Sequence, residues 1–337
     1  MVKLCLMKRL ELNTFQDSLD YICTSLMNII HREKVTSDVT ACCQIIVLLE
    51  VIFGLDSSTV YSVCYDALVQ TVRTTKNKQV AVDCLHAATI LLYINDSPNE
   101  VEDEFVSLLT SILTNPKPTS FPLVAEAASC WVLLMSLKPK QCILSPELPA
   151  FVEQLLPLLE LSDMTVRIRT AQCLAFINEL LILTPSYPRE GPLELIADSI
   201  HGALNEYNRY WKESRDKDLK MMLREISRSC EGDGHPNVKL TFKMESKGEV
   251  LMEINRWCGV VQYSMFQRSM EHGFRYHIVE GQLLQDIFAP YITIHSRPKV
   301  SSEKAEISQE KRAAIKNDRE KHERQLQAYE SMCLDNL

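Results

Sequence analysis

The chain has 337 residues, 46% of them hydrophobic, and a formal net charge of −8. That length suffices for two domains or one elongated repeat array. The acidic total excludes wrapping a nucleic acid by bulk attraction, so any polyanion contact has to be local. Only nine glycines occur, with a single one, Gly54, among the first 190 residues, and this excludes a turn-dense β architecture for that half.

The opening "MVKLCLMKRLELN" lacks an uninterrupted apolar core, and the longest apolar stretch, "ACCQIIVLLEVIFGL", is broken by Gln44 and Glu50. No segment is therefore expected to enter a membrane. Twelve cysteines are present without C-x-x-C spacing; Cys42, Cys43, Cys64, Cys84, Cys130 and Cys173 sit in apolar helical segments. Reduced cysteine there behaves as a small hydrophobe, which predicts a reducing, intracellular compartment.

From about residue 12 to 183 eight helical stretches are predicted, separated by polar breaks near 36–38, 56–58, 74–77, 95–99, 115–120, 138–146 and 162–163. Ser, Asp and Asn at the breaks can accept hydrogen bonds from the free N–H groups of the next helix, and Pro116, Pro118, Pro139 and Pro146 cannot continue the previous one. The clearest pair spans Leu148 to Leu183. Its first helix repeats Phe151, Leu155, Leu158 and Leu159, and its second sets Val166, Ile168, Ala171, Leu174, Ala175, Ile177 and Leu181 toward one side. Such a pair cannot bury its apolar side alone, so neighbouring pairs must cover it. The expected fold class is mainly α: a HEAT or armadillo-like solenoid over 1–190, with an ordinary α-bundle as the alternative.

Residues 191–236 are expected to hold a helix from about 193 to 211 and a charged helix, "RYWKESRDKDLKMMLREISRS", with few apolar anchors. Residues 209–228 carry seven Lys or Arg against four Asp or Glu. Over 237–296, "VKLTFKM" and "EVLMEIN" alternate apolar and polar residues around "ESKG", the pattern of a β-hairpin and the only β structure predicted. A helix from Arg256 to about His272 follows. Gly273 and Gly281 then bound a short segment before a last apolar helix, "GQLLQDIF", completing a small α+β unit. The rest, 297–337, is a charged tail helix in which 311–324 carry six Lys or Arg against three Asp or Glu.

Little in the chain suggests chemistry. No G-x-S-x-G elbow, Walker loop or G-x-G-x-x-G is present, so no enzyme, cofactor or small-molecule substrate is expected. His272, His277 and Glu280 do not make a metal site: five helical positions turn the two histidines about 140° apart, and no Cys/His quartet completes a set. The aromatics of 256–277 could stack on unpaired bases, but their helical spacing favours a packed core.

The stretch "INRWCGVVQYSMFQRSMEHGFRYHIVEGQLLQDIF" resembles the C-terminal domain of the interferon-related developmental regulator family. The resemblance rests on Trp257 after a short strand, Tyr263, Phe266, Gly273, the Tyr276-His277-Ile278 triplet, Leu284 and Phe288 at fixed spacing. "KESRDKDLKMMLREI" resembles the family's basic linker helix, and "SDMTVRIRTAQCLAFINEL" its last repeat. The likeness covers about 120–325 and fades toward an N-terminus whose repeats look abbreviated. Glu310, Asp318, Glu320 and Glu323 dilute the family's basic tail, and "EHG" stands where Gly-Ser-Gly precedes the Tyr-His pair.

The resemblance implies a non-catalytic factor that binds translationally inactive ribosomes, its terminal helix in the mRNA path and its body near the P and E tRNA sites. Partners would be rRNA and ribosomal proteins, in the cytoplasm. A second theme is a nuclear coregulator of transcription working with histone deacetylase corepressor proteins. On the first theme the rRNA-binding side chains are Lys311, Arg312, Lys316, Arg319, Lys321 and Arg324 on the tail helix, and Lys212, Arg215, Lys217, Lys220 and Arg224 on the linker helix, which neutralise phosphates and release counterions. The core of the C-terminal domain would be Trp257, Tyr263, Phe266, Tyr276, His277, Leu284 and Phe288.

Overall fold

A computed structural model describes residues 18–32, 35–54, 57–95, 99–117, 120–184, 192–210, 217–231, 234–244 and 248–296. The helices are α1 Leu19–Arg32, α2 Thr36–Phe53, α3 Thr59–Thr74, α4 Lys78–Ile94, α5 Asn99–Thr114, α6 Phe121–Met135, α7 Leu148–Leu155 and α8 Met164–Ile182. They match the eight stretches expected, with one extra turn, Lys140–Ile143, inside the 138–146 break. Two of the breaks cap as their residue types predict. Asn77 accepts from the backbone N–H of Gln79 and Val80, and Asp163 from that of Val166. Ser58 and Ser120 make no side-chain cap. Pro157 has no N–H to donate, and α7 tightens there into a 3₁₀ turn, Leu156–Glu160.

The helices stack in two rows. In the inner row α2 packs on α4, α4 on α6 and α6 on α8, while the outer helices α1, α3 and α5 each pair with an inner neighbour. Side chains one repeat apart meet along the stack. Cys43 Sγ lies 4.0 Å from Cys84 Sγ, and Asn77 Nδ2 donates to Thr36 Oγ1 at 3.0 Å, both pairs being 41 residues apart. A period near 40 is that of HEAT and armadillo repeats. Helix α8 departs from the one-sided pattern expected of it. It is buried around most of its circumference, Arg167, Gln172 and Asn178 included, because α6, the 3₁₀ turn, α9 (Pro192–Tyr210) and α10 (Lys217–Cys230) all pack on it.

Two strands, β1 Val238–Met244 and β2 Gly248–Ile254, form the predicted hairpin, with Val250, Met252 and Ile254 buried on one face of β2. The expectation of a hairpin alone is corrected by β3, Ile292–Ser296, which joins in the order β1-β2-β3. Between β2 and β3 lie α11 Trp257–Met270, a 3₁₀ turn Glu271–Gly273, α12 Phe274–Glu280 and α13 Gln282–Ile287. The sharp bend after α11 falls at Glu271, with φ 48°, rather than at Gly273, which keeps helical angles. Gly259 lets α11 approach the sheet: a Cβ there would sit 2.6 Å from the Tyr291 ring and 2.8 Å from Ile254.

The chain divides into two compact units, residues 1–242 with 251–293, and 243–250 with 294–337. Of the second, only strand residues are described.

Helix α2 is long and apolar enough to cross a membrane by composition, yet its apolar residues pack against α1, α4 and α11. Within it Glu50 is fully buried. Asn95 Nδ2 donates to its Oε1 at 2.7 Å, Oε2 has no partner, and burial pushes the carboxyl up to about 7 against the opposing pull of Asn95. Gly54 is required one turn later, since any side chain would collide with this carboxylate. A carboxyl raised in the folded state binds its proton more tightly there. Its stabilising contribution is therefore complete below pH 4.5 and lost as pH rises through about 7. Glu50→Gln is expected to flatten that loss, gaining on the order of 3 kcal/mol over the wild type between pH 4.5 and 8 in denaturant titrations.

Candidate nucleic-acid interface

Helix α10 is amphipathic, and its apolar stripe is spent. Leu223 and Ile226 are buried, Met222 and Cys230 half-buried, against α8 and α9. The expectation of few apolar anchors is thus corrected from Lys217 onward. Docking of the stripe leaves the other face outward, where Arg224 and Arg228, one turn apart, are exposed. Lys217 and Lys220 belong to the same helix, seven and four residues before Arg224. Lys212 and Arg215, and all of Lys311, Arg312, Lys316, Arg319, Lys321 and Arg324 on the tail, lie outside the described residues.

The end of α10 borders a cleft of about 230 Å³, lined by Glu179, Ile182, Leu183, Ser229, Gly234, His235, Asn255 and Arg256. Glu179 accepts from the Trp257 backbone N–H at 2.9 Å and so caps α11, while Trp257 Nε1 donates to Ser229 Oγ at 2.9 Å. Burial pushes the Glu179 carboxyl above the usual carboxylate range, opposed by that N–H and by Arg256, His235 and Lys140.

The inner face of the repeat array is not an open groove, because α11 lies across α2, α6 and α8. Its apolar side buries Trp257, Val261, Met265, Phe266 and Met270. Its polar contacts run to charged residues set in otherwise apolar inner helices. Arg268 Nη2 bonds Asp83 Oδ1 at 2.9 Å, and Nη1 bonds Glu126 Oε2. Asp83 also accepts from Thr40 at 2.6 Å and Gln79 at 3.0 Å. His86 joins Glu126 through Nδ1 at 2.6 Å and Ser269 Oγ through Nε2 at 2.7 Å. Burial opposes ionisation of Glu126, but His86, Arg268 and Arg169 outweigh it and hold the carboxyl down at about 2. Asp83, His86 and Glu126 were missed by sequence reasoning; the available signal was a charge interrupting the apolar runs "VAVDCLHAATILLYI" and "VAEAASCWVLLM".

The chain Ser269, His86, Glu126 has the order of contacts of a nucleophile, base and acid. Yet Ser269 is 1% exposed on the packed face of α11, and Glu126 is held by Arg268. The arrangement suits fastening rather than turnover.

Of the aromatic stretch, Trp257, Phe266, His277, Leu284 and Phe288 are buried, and Tyr263 and Tyr276 half-buried. Phe274 meets Phe288 at 5.6 Å and Tyr263 at 5.3 Å between ring centroids, and Phe266 meets Tyr93 of α4 at 5.9 Å. These rings pack edge to face with one another and with the array, which takes Phe266, Phe274 and Phe288 out of reach of a base. Among the described residues no group of three His, Cys, Asp or Glu is placed to hold a metal ion.

Layered helices with a self-filled inner face and an outward basic helix define a helical-repeat protein. The profile of the interferon-related developmental regulator family matches residues 1–225. The chain belongs to that family, which is regulatory rather than enzymatic. The match begins at the first residue and so takes in the N-terminal repeats that looked abbreviated; the stretch around 256–288 lies beyond it. Compared with curated proteins, the sequence has no match.

Removing the Arg268 guanidinium would leave Asp83 without its counter-ion in a buried setting and leave Glu126 with only His86 and Arg169. Arg268→Ala is expected to cost roughly 3 kcal/mol in denaturant unfolding, toward the low end for a buried pair because the arginine side chain keeps 38% of its exposure. Arg268→Lys, with a point charge in place of the two-pronged donor, should fall between.

Proposed function

We propose that this protein is a non-catalytic factor that binds translationally inactive ribosomes in the cytoplasm and represses translation by occupying the mRNA and tRNA paths. The observation that carries this reading is α10. With Leu223 and Ile226 committed to the array, the helix presents Arg224 and Arg228 on a rigid base, an arrangement suited to phosphate contacts. Membership of a regulatory family is consistent with it. The other reading, a nuclear coregulator that grips histone deacetylase corepressor proteins in the solenoid groove, is less well served, since α11 already fills the inner face.

In this reading rRNA is held by Lys212, Arg215, Lys217, Lys220 and Arg224 of the linker helix and by Lys311, Arg312, Lys316, Arg319, Lys321 and Arg324 of the tail. Blocking is steric and needs no reaction, cofactor or small-molecule substrate. The test is sedimentation of extracts through sucrose gradients at low and high salt. The wild type should travel with ribosomes, more so at low salt. Arg224→Glu should reduce that fraction severalfold, and a joint Arg312→Glu, Lys316→Glu, Arg319→Glu variant should abolish it with folding intact. Wild-type protein confined to ribosome-free fractions in both growing and starved cells would exclude the reading.

A further inference from the structure

The cleft at the junction of α8, α10 and the β2–α11 connection has an unusual make-up for an exposed surface. Ile182 and Leu183, at 38% and 43% exposure, form an apolar wall along it. Asn255 and His235 bring polar side chains to the rim, and both are exposed. Arg256 stands beside them with 55% of its side chain exposed, and its ion pair with Glu179 is loose, at 3.9 Å. Lys140 is exposed, and it too acts on the Glu179 carboxylate.

The volume, about 230 Å³, falls below the roughly 300–1,000 Å³ of sites that enclose drug-sized ligands. It suits a flat fragment of one ring system. An aliphatic wall can pack on the flat face of a base, amide and imidazole groups can hydrogen-bond its edge, and a guanidinium can reach its phosphate, a set of contacts that matches an unpaired nucleotide. Arg228, on the exposed face of α10, lies against Gly234 of the cleft lining, where a Cβ would sit 3.4 Å from the Arg228 Cβ, so a strand tracking along that helix would arrive at the cleft.

We propose that this cleft seats one unpaired nucleotide of single-stranded RNA, its base against Ile182 and Leu183 and its phosphate on Arg256. The proposal rests on the ribosome-binding reading for its biological source of RNA, but the chemistry is tested apart from it. Full-length protein is titrated against a fluorescein-labelled oligouridylate of about twelve nucleotides, within the usual span of single-strand sites. Arg256→Gln is expected to weaken binding about tenfold and to lower the salt slope by about 0.7, the share of one phosphate on a single strand. Leu183→Gln, which changes no charge, should also weaken it about tenfold through the lost apolar contact with the base. Lys117→Gln removes an exposed cation from the α5–α6 connection, away from the cleft, and should bind like the wild type.

The inference is overturned if the wild type fails to bind the oligonucleotide or if both cleft variants bind like it. Equal weakening by Lys117→Gln, or the same losses on a fully paired duplex, overturns it too, since either would reveal only diffuse charge. Sedimentation of the same variants separates the two ideas. Wild-type protein that travels with ribosomes while the cleft variants leave oligonucleotide binding unchanged defeats the seat alone. Cleft-dependent oligonucleotide binding without ribosome association leaves the seat standing and defeats the ribosomal source.

Discussion

The two-pronged contact of Arg268 with Asp83 and Glu126 is the constraint on which the C-terminal half of the compact unit depends. The carboxylates belong to different repeats, α4 and α6, so one guanidinium ties two inner helices to α11 together. A buried charge pair seldom adds net stability, because desolvation offsets the attraction. Its value here is registration. Trp257, Phe266 and Met270 could slide along an apolar face at little cost, whereas a planar fork matched to two carboxylates fixes both position and rotation. His86, bridging Glu126 to Ser269 one residue on, repeats the constraint.

That fastening redistributes what the repeat fold can offer. Stacked helical pairs usually present a long inner surface to partners, and in this chain α11 takes that surface. The aromatics follow the same logic: Phe266, Phe274 and Phe288 pack ring against ring in a core shared with Tyr93 of the array. What stays outward is the edge of α10 and the junction around Arg256 and Leu183, where side chains remain exposed.

The architecture of the first half was legible because it is local. Polar breaks, proline positions and helical periodicity fall within a dozen residues of the elements they define, and Asn77 and Asp163 cap where their chemistry predicts. The alternation in β2 was equally readable, Val250, Met252 and Ile254 being buried. What escaped was long-range. Strand β3 is five residues long, and its identity depends on pairing with β2 across about forty residues, as in the bond from Glu253 N–H to the Tyr291 carbonyl. Likewise Asp83 and Glu126 read as stray charges until the partner arrives from the far end of the chain. The bend at Glu271 was misplaced to Gly273 because glycine is the residue expected to relieve such geometry.

The separation between Arg268 and its acidic partners, 185 residues to Asp83 and 142 to Glu126, carries a consequence for biosynthesis. A nascent chain emerging N-terminus first completes every repeat before the guanidinium leaves the exit tunnel. Until then Asp83 faces water without its counter-ion and Glu126 has only His86 and Arg169 of the array, a tolerable state for a solvated surface and a costly one for a closed core. The array must therefore mature in two acts, a provisional stack first and a sealed one later, and the slow, non-local second act leaves the unfinished chain most exposed to chaperones and proteases.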